Sequence, residues 1–123
     1  MATISKQNTF SFASIGIDIG KEVFHLVGFD PDGKIVLRRK IKRLALVSEF
    51  EKLPPCLVGM EACATSHHWA REITKLGHEV KLMRPRSVKP YVKRNKNDAA
   101  AAEAICEAVT RPTMRFVPIK TLE

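Results

Sequence analysis

The sequence is poor in cysteine and has no long apolar run. These two features argue against a disulfide-rich secreted protein and against a membrane-spanning one. Its cysteines, Cys56, Cys63 and Cys106, form an odd set without the C-x-x-C spacing of zinc or redox sites. No apolar stretch reaches the roughly 20 residues needed to cross a bilayer. No charged leader followed by an apolar run opens the chain. We therefore expect a protein of the reducing cytoplasm that does not insert into a membrane.

Acidic residues are scarce relative to basic ones. The 123 residues include 21 Lys and Arg against 13 Asp and Glu, which leaves a net charge of +8. This excess favours partners that carry negative charge, chiefly nucleic acids, although charge alone leaves open a merely soluble basic protein. The length and the 45% hydrophobic content fit one globular domain rather than two.

Turn signals and apolar alternation predict that the domain begins with three strands. The strands are expected at residues 11–19, 22–29 and 34–41, and Asp30-Pro31-Asp32-Gly33 is strong turn chemistry between the last two. Strands joined by such short connections form an antiparallel meander. Residues 1–10 lack periodicity, and we expect them to be a flexible amino-terminal tail.

After the meander the pattern changes to alternating helices and strands. The expected segments are, in order, helix 44–53, strand 56–60, helix 65–76, strand 79–83 and helix 98–109. A meander followed by this alternation predicts an α/β domain in which one mixed sheet carries helices on its faces. We expect the domain to span residues 11–121 and Leu122-Glu123 to be a cloning scar.

Three carboxylates stand where a site could form. Asp18 interrupts an apolar strand, where an unpaired buried carboxylate would need a compensating cation or donor. Glu61 follows the strand at 56–60, at the end where open α/β sheets bind ligands. Asp98 opens the last helix, and Ala101 lies one turn later on the same face. Each acid also has a structural alternative: a turn cap for Asp18, a solvated helix start for Glu61 and an N-cap for Asp98.

A basic segment, residues 81–96, contains no acid. The residues expected to bind nucleic acid there are Arg84, Arg86, Lys89, Tyr91, Lys93, Arg94 and Lys96. A cluster of basic side chains can bind the phosphates of a nucleic acid, and an aromatic ring among them can stack on its bases. A solvated basic loop is the alternative interpretation.

Four motifs together resemble the amino-terminal part of a known group of enzymes. They read IGIDIGKEVFHLVGFDPDGKIV, LVGMEACATSHHWAREITKLGHEVKLMRP, VKPYVKRNKNDAA and AEAICEAVTRPTMRFVPIKT. This part of the chain is similar to transposases of the insertion-sequence one-hundred-and-ten family, the DEDD, Piv-invertase-like group. The resemblance implies a RuvC-like version of the ribonuclease H fold that cleaves and exchanges DNA strands.

The resemblance also implies partners and further parts. The implied partners are DNA, a bridge RNA that acts as guide, and further copies of the full-length protein. Strand cleavage and exchange would take place on DNA of the bacterial nucleoid. The family has a carboxy-terminal domain with a serine proposed as nucleophile, and nothing in this sequence corresponds to it. We therefore do not expect complete strand exchange from this chain.

Carried over residue by residue, the four family acids fall on Asp18, Glu61, Asp98 and position 101. The chain has Ala101 where the family pattern has an aspartate, and an inactivating substitution is the natural explanation. The resemblance implies Mg²⁺, or Mn²⁺ in the test tube, held by the three remaining acids. Two cations about 3.5–4 Å apart need several shared carboxylates to offset their repulsion.

Two other functional classes compete with this hypothesis. One is a noncatalytic RNA- or DNA-binding module that uses the basic segment. The other is a nucleotide-dependent phosphotransferase of the actin-like class, because a Gly-x-Asp-x-Gly opening also begins such folds. That class needs a second lobe, for which 123 residues leave no room.

Overall fold

One mixed sheet organises the molecule, for which a computed structural model describes residues 12–93 and 99–122. The strands within these ranges are β1 (Ser14–Ile19), β2 (Val23–Phe29), β3 (Ile35–Lys42), β4 (Leu57–Glu61) and β5 (Glu79–Met83). Their order across the sheet is β3-β2-β1-β4-β5. The first three strands are antiparallel, and β4 runs parallel to β1 and β5. This arrangement confirms the predicted α/β class and is consistent with a ribonuclease H-like fold.

The predicted turn between β2 and β3 forms as its residue types require. Asp30 Oδ1 accepts hydrogen bonds from the backbone N–H of Asp32 and of Lys34, both at 2.9 Å. Gly33 adopts a positive φ of 84°, which a residue without a side chain reaches at little cost. The turn fixes the register in which β2 and β3 pair.

The described helices are α1 (Leu46–Glu51), α2 (Ser66–Lys75), α3 (Pro85–Val88) and α4 (Ala100–Ala108). Helix α1 is shorter than predicted, because the chain first forms a 3₁₀ turn at Arg43–Ala45 and α1 ends before Lys52. Helix α2 ends where Gly77 takes a φ of 99°, as the sequence predicts. None of the helices in the described ranges is long and apolar enough to span a bilayer.

The larger core lies between the sheet and helices α1 and α2. Alternating residues of the strands point to this side and are fully buried, as Ile15, Ile17 and Met60 are. They pack against Phe50 of α1 and Ile73 of α2. This apolar layer holds the sheet rigid and leaves its other face to α4.

Helix α4 lies unusually close to the strands that it covers. A Cβ added to Gly16 of β1 would lie 2.3 Å from the carbonyl oxygen of Ala102 and 2.4 Å from the backbone nitrogen of Cys106. Ser14 Oγ donates to the carbonyl of Cys106 at 3.0 Å, and Cys106 Sγ donates back to the carbonyl of Ser14 at 3.3 Å. The run of alanines in α4 therefore has a packing reason, because larger side chains would push the helix away from the sheet.

Candidate active site

Asp18 and Glu61 lie on one face of the sheet at the carboxyl ends of neighbouring parallel strands. Ile17 is in register with Met60, so the two acids that follow them lie side by side. Alternation along each strand puts Asp18 on the same face as Gly16, the face that α4 covers. Glu61 is the last residue of β4 and pairs with Met83, whereas the sequence analysis placed it just after the strand. Extension of β4 by the β5 pairing explains the difference.

The two carboxyl groups influence each other electrostatically. Partial burial raises the pKa of Asp18 above its ordinary value, and a nearby His25 offsets part of that rise. Burial also raises the pKa of Glu61, and the negative charge of Asp18 raises it further. Both shifts mean that the ionised pair is destabilised without a compensating positive charge. A bound cation would supply that charge.

His25 is a member of this site that the sequence analysis missed. It lies directly opposite Asp18 in the antiparallel register of β1 and β2, so both side chains are on the α4 face. Its Nε2 atom is buried and has no hydrogen-bond partner within the described residues. The signal was available in the sequence, because counting outward from the short connection between β1 and β2, residues 20–22, pairs residue 18 with residue 25.

The amino end of α4 lies at the same end of the sheet. Ala99 and Ala102 pack against Val27, which is two residues along β2 from His25 on the same face. Ala101 is half-buried, whereas Ala100 and Ala102 are buried. Asp98 lies outside the described residues.

Helical spacing locates position 101 with respect to the strands. Ala104 and Ile105 lie one turn further along α4 and pack in the cluster that contains Met83 of β5. Ala101 is therefore on the side of α4 that faces β4 and β5. A carboxylate at this position would be on the Glu61 side of the site.

The donor set suits a hard divalent cation. Carboxylate oxygens are the ligands that Mg²⁺ prefers, and sites with one or two protein carboxylates and several waters are common. Asp18 and Glu61 form such a pair, and burial raises the pKa of each, so a cation beside them would favour their ionised forms. Within residues 12–93 and 99–122, no three Asp, Glu, His or Cys side chains are grouped to hold a metal. Any third ligand must therefore come from elsewhere, as the prediction for Asp98 requires.

The structure divides the residues predicted to bind nucleic acid. Arg84, Arg86 and Lys89 are exposed and have no ion pair within the described residues. Lys93 instead lies 4.0 Å from Glu103 and 3.7 Å from Glu107 of α4. The guanidinium of Arg111 covers the ring of Tyr91, 5.5 Å from its centroid. Arg94 and Lys96 lie outside the described residues.

Comparison with known proteins places the chain in a family. The family model for DEDD transposases of the IS110 type, described as Transposase, matches residues 15–123. The chain belongs to this transposase family. The match includes the strands that carry Asp18 and Glu61 and the helix that carries Ala101, and it confirms the resemblance found in the motifs.

Individual transposases are similar over most of the chain. A Sinorhizobium fredii protein named as a transposase, y4pF/y4sB, is 56% identical over 109 residues, which are 89% of this chain and 28% of that protein. The transposase for insertion sequence element IS1328 of Yersinia enterocolitica is 50% identical over 87% of this chain and 32% of its own length. The transposase for IS1111A of Coxiella burnetii is 47% identical over 89% of this chain and 30% of its own. The chain thus spans about a third of the length of these relatives.

Proposed function

We propose that this domain supplies the metal-binding acids for DNA strand cleavage and exchange by a transposase of a mobile element. The observation that carries the proposal is the Asp18–Glu61 pair, which lies at the carboxyl ends of adjacent parallel strands with both pKa values raised. Open α/β sheets bind ligands at this edge. Membership of a transposase family makes DNA the substrate class.

Asp18 and Glu61 would hold a divalent cation, Mg²⁺ or Mn²⁺, with Asp98 as the third ligand. Such a cation would supply Lewis-acid chemistry toward a phosphodiester held beside the two carboxylates. The protein contributes a rigid sheet edge that fixes two carboxylates in register and an apolar wall on the α4 side, formed by Val27 and Ala99, that limits access of water. The role of Asp18 and Glu61 is therefore to bind the cation and to orient it, and the scissile phosphate approaches from the open end of the sheet.

Ala101 is, in this proposal, an inactivating replacement of the fourth acid. Its position on α4, on the side of β4 and β5, is where a carboxylate would complete the site begun by Glu61. Ala101 is half-buried, unlike its fully buried neighbour Ala102. The chain would then bind metal more weakly than an Ala101→Asp variant and would not cleave DNA.

The remaining steps belong to the full-length protein. The chain corresponds to about a third of its relatives, so complete strand exchange requires a further part. We propose that this part carries the nucleophilic serine and that the whole protein works as a homo-oligomer guided by a bridge RNA on the nucleoid.

Metal titration tests the proposal directly. Isothermal calorimetry with Mn²⁺ and Mg²⁺ at fixed pH and ionic strength would compare this chain with Ala101→Asp and with Asp18→Asn/Glu61→Gln. We expect Ala101→Asp to bind at least about tenfold more tightly, because losing even a residue that only supports a metal ligand costs that much. The Asn/Gln variant should bind no metal. Equal binding, or equal inertness, in all three proteins would reject the metal site.

A noncatalytic nucleic-acid-binding module is the second candidate. It is favoured by the exposed Arg84, Arg86 and Lys89, which have no acidic partner within residues 12–93 and 99–122. It predicts nucleic-acid binding that weakens with salt and does not change when Asp18 and Glu61 are replaced. Tight metal binding that depends on Asp18 and on position 101 would decide against it.

A further inference from the structure

An open groove lies beside the end of β5. Its walls are α3 on one side and residues 113–117 on the other. The lining residues are Arg84, Ser87, Thr113, Met114, Arg115, Phe116 and Val117. We call it the arginine groove. The lining contains two arginines and no acidic residue, so it attracts anions.

The charges of this groove are not neutralised by the protein. Some cations of the described residues form ion pairs, such as Arg39 with Glu49 at 2.8 Å and Lys81 with Glu79 at 3.6 Å. Arg84 and Arg115 have no ion pair within the described ranges, and both are exposed. The positive charges of these two arginines are therefore available to an anion in the groove.

Backbone pairing holds the second wall of the groove in place. Val117 donates its N–H to the carbonyl of Leu82 at 2.7 Å, and the two residues form an antiparallel bridge along the edge of β5. This bridge fixes the neighbouring Phe116, whose side chain remains 39% exposed. Lys81 Nζ lies 5.3 Å from the centroid of the Phe116 ring, on one side of it. The groove thus has an aromatic surface as well as two cations.

The groove and the acidic pair lie at the same end of the sheet. Arg84 follows Met83, the last residue of β5, and Met83 pairs with Glu61 in the parallel register of β4 and β5. A strand of nucleic acid that passes the acidic pair would therefore meet Arg84 next. Because the groove adjoins the acidic pair, the DNA strand that reacts there is more suited to bind in the groove than a nucleic-acid segment far from the reacting phosphate.

We propose that the arginine groove binds a single-stranded stretch of DNA next to the phosphate that reacts at Asp18 and Glu61. Arg84 and Arg115 neutralise two backbone phosphates, and the Phe116 ring stacks on an unpaired base. Double-stranded DNA presents only its backbone here, because its bases already stack on one another. The proposal rests on the proposed function for its choice of DNA, but the binding itself needs no metal.

Binding of labelled twelve-residue oligonucleotides, measured by fluorescence anisotropy in EDTA, tests the groove. The ligands are single-stranded oligo-dT, its RNA counterpart oligo-U and a DNA duplex of the same length. We expect Arg84→Gln/Arg115→Gln to weaken oligo-dT binding about tenfold and to reduce the log–log salt slope by about 1.4, since each single-strand phosphate contact contributes ~0.7. Phe116→Leu should weaken oligo-dT binding about tenfold without changing the salt slope.

Matched variants separate the groove from general charge and from folding. Lys34→Gln/Lys52→Gln removes the same charge from exposed residues at the opposite end of the sheet and should leave the slope within about 0.3 of the parent's, less than half of one phosphate contact. Phe116→Trp retains a stacking ring and should bind oligo-dT at least as tightly as the parent. Thermal unfolding of each variant establishes that the fold is intact.

Three outcomes would overturn the proposal. They are equal weakening by the groove and control variants, equal loss of single-strand and duplex binding in Phe116→Leu, and a preference of the parent protein for oligo-U over oligo-dT. Because the titration contains no metal, it can succeed while the metal titration of Ala101→Asp fails. The two results therefore test the groove and the proposed function separately.

Discussion

At the scale of single residues, Asp18 and Glu61 oppose the stability of the metal-free fold. Burial raises the pKa of both, and the charge of Asp18 raises that of Glu61 further. The folded protein therefore binds protons at these groups more tightly than the unfolded chain does. Their contribution to the free energy of unfolding is therefore highest when both carboxyls are protonated. It falls as the pH rises above their ordinary pKa values of 3.8 and 4.5 and through their raised pKa values in the folded protein.

This sign gives a testable prediction. Asp18→Asn/Glu61→Gln should increase the free energy of unfolding at pH 7 in EDTA, and the gain should vanish near pH 3, where the parent carboxyls are protonated in both states. Urea unfolding at the two pH values measures the difference. Glu51→Gln, an exposed acid at the end of α1, is the control and should give no pH-dependent gain. A gain that is equal at both pH values would contradict the electrostatic explanation.

Some candidate site residues could be proposed from the sequence and others could not, for physical reasons. Asp18 could be found because a carboxylate in an apolar strand violates the ordinary pattern. His25 could not be found from its own surroundings, since its role depends on which residue the neighbouring strand places opposite it. Lys93 and Tyr91 belonged to a basic run, but their acidic and cationic partners, Glu107 and Arg111, come from a later segment.

At the scale of elements, the packing of α4 decides which positions of the alanine run can change. Ala102 is fully buried against Val27 and Cys106, whereas its neighbour Ala101 is half-buried. The two positions share the same helix and the same intrinsic helix propensity. A difference in stability between the same substitution at the two positions therefore measures how tightly each position is packed.

We predict that Ala102→Val costs about 1–3 kcal/mol more in the free energy of unfolding than Ala101→Val does. Two added methyl groups at 102 have no free space between α4 and β1, while at 101 they can extend toward the open side. Chemical unfolding in urea measures both values. If the two variants are equally stable, α4 lies further from the sheet than the Gly16 contact requires.

Element types were predictable from the sequence to a greater extent than element ends. The strands and the three longer helical segments follow from periodicity and from the Gly33 and Gly77 turns. The end of β4 at Glu61 depends on pairing with β5, and the start of α1 depends on a 3₁₀ turn. Both are tertiary effects that a local pattern does not contain. The close approach of α4 to Gly16 was likewise not predictable from local pattern, although the alanine run in α4 is consistent with it.

At the scale of the whole molecule, burial differs among the three thiols: Cys106 is buried and Cys56 is half-buried. Burial raises the pKa of Cys56 to about 12 and that of Cys106 to about 11. Cys63 is exposed in the turn after β4. Because the thiolate is the reactive form, the raised pKa lowers the reactivity of Cys56 and Cys106, and burial also restricts the access of reagents to Cys106.

We predict that a thiol reagent at pH 7.5 labels Cys63 at least about a hundredfold faster than Cys56 or Cys106. The slow phase should accelerate with urea in parallel with global unfolding, because Cys106 belongs to a buried cluster and the half-buried Cys56 packs against the larger core. Labelling followed by mass spectrometry gives the rates. In Cys63→Ser the fast phase should disappear, and a persistent fast phase would mean that another thiol opens locally.

The hydrogen bonds between Ser14 and Cys106 join residues that are 92 positions apart. Synthesis proceeds from the amino terminus, so the strands that carry Asp18 and Glu61 leave the ribosome before the helix that covers them. Until α4 docks, Gly16 faces water and the acidic edge lacks one wall. A nascent chain therefore carries both acids in an unfinished environment, and the wall beside them is completed only when the last helix docks.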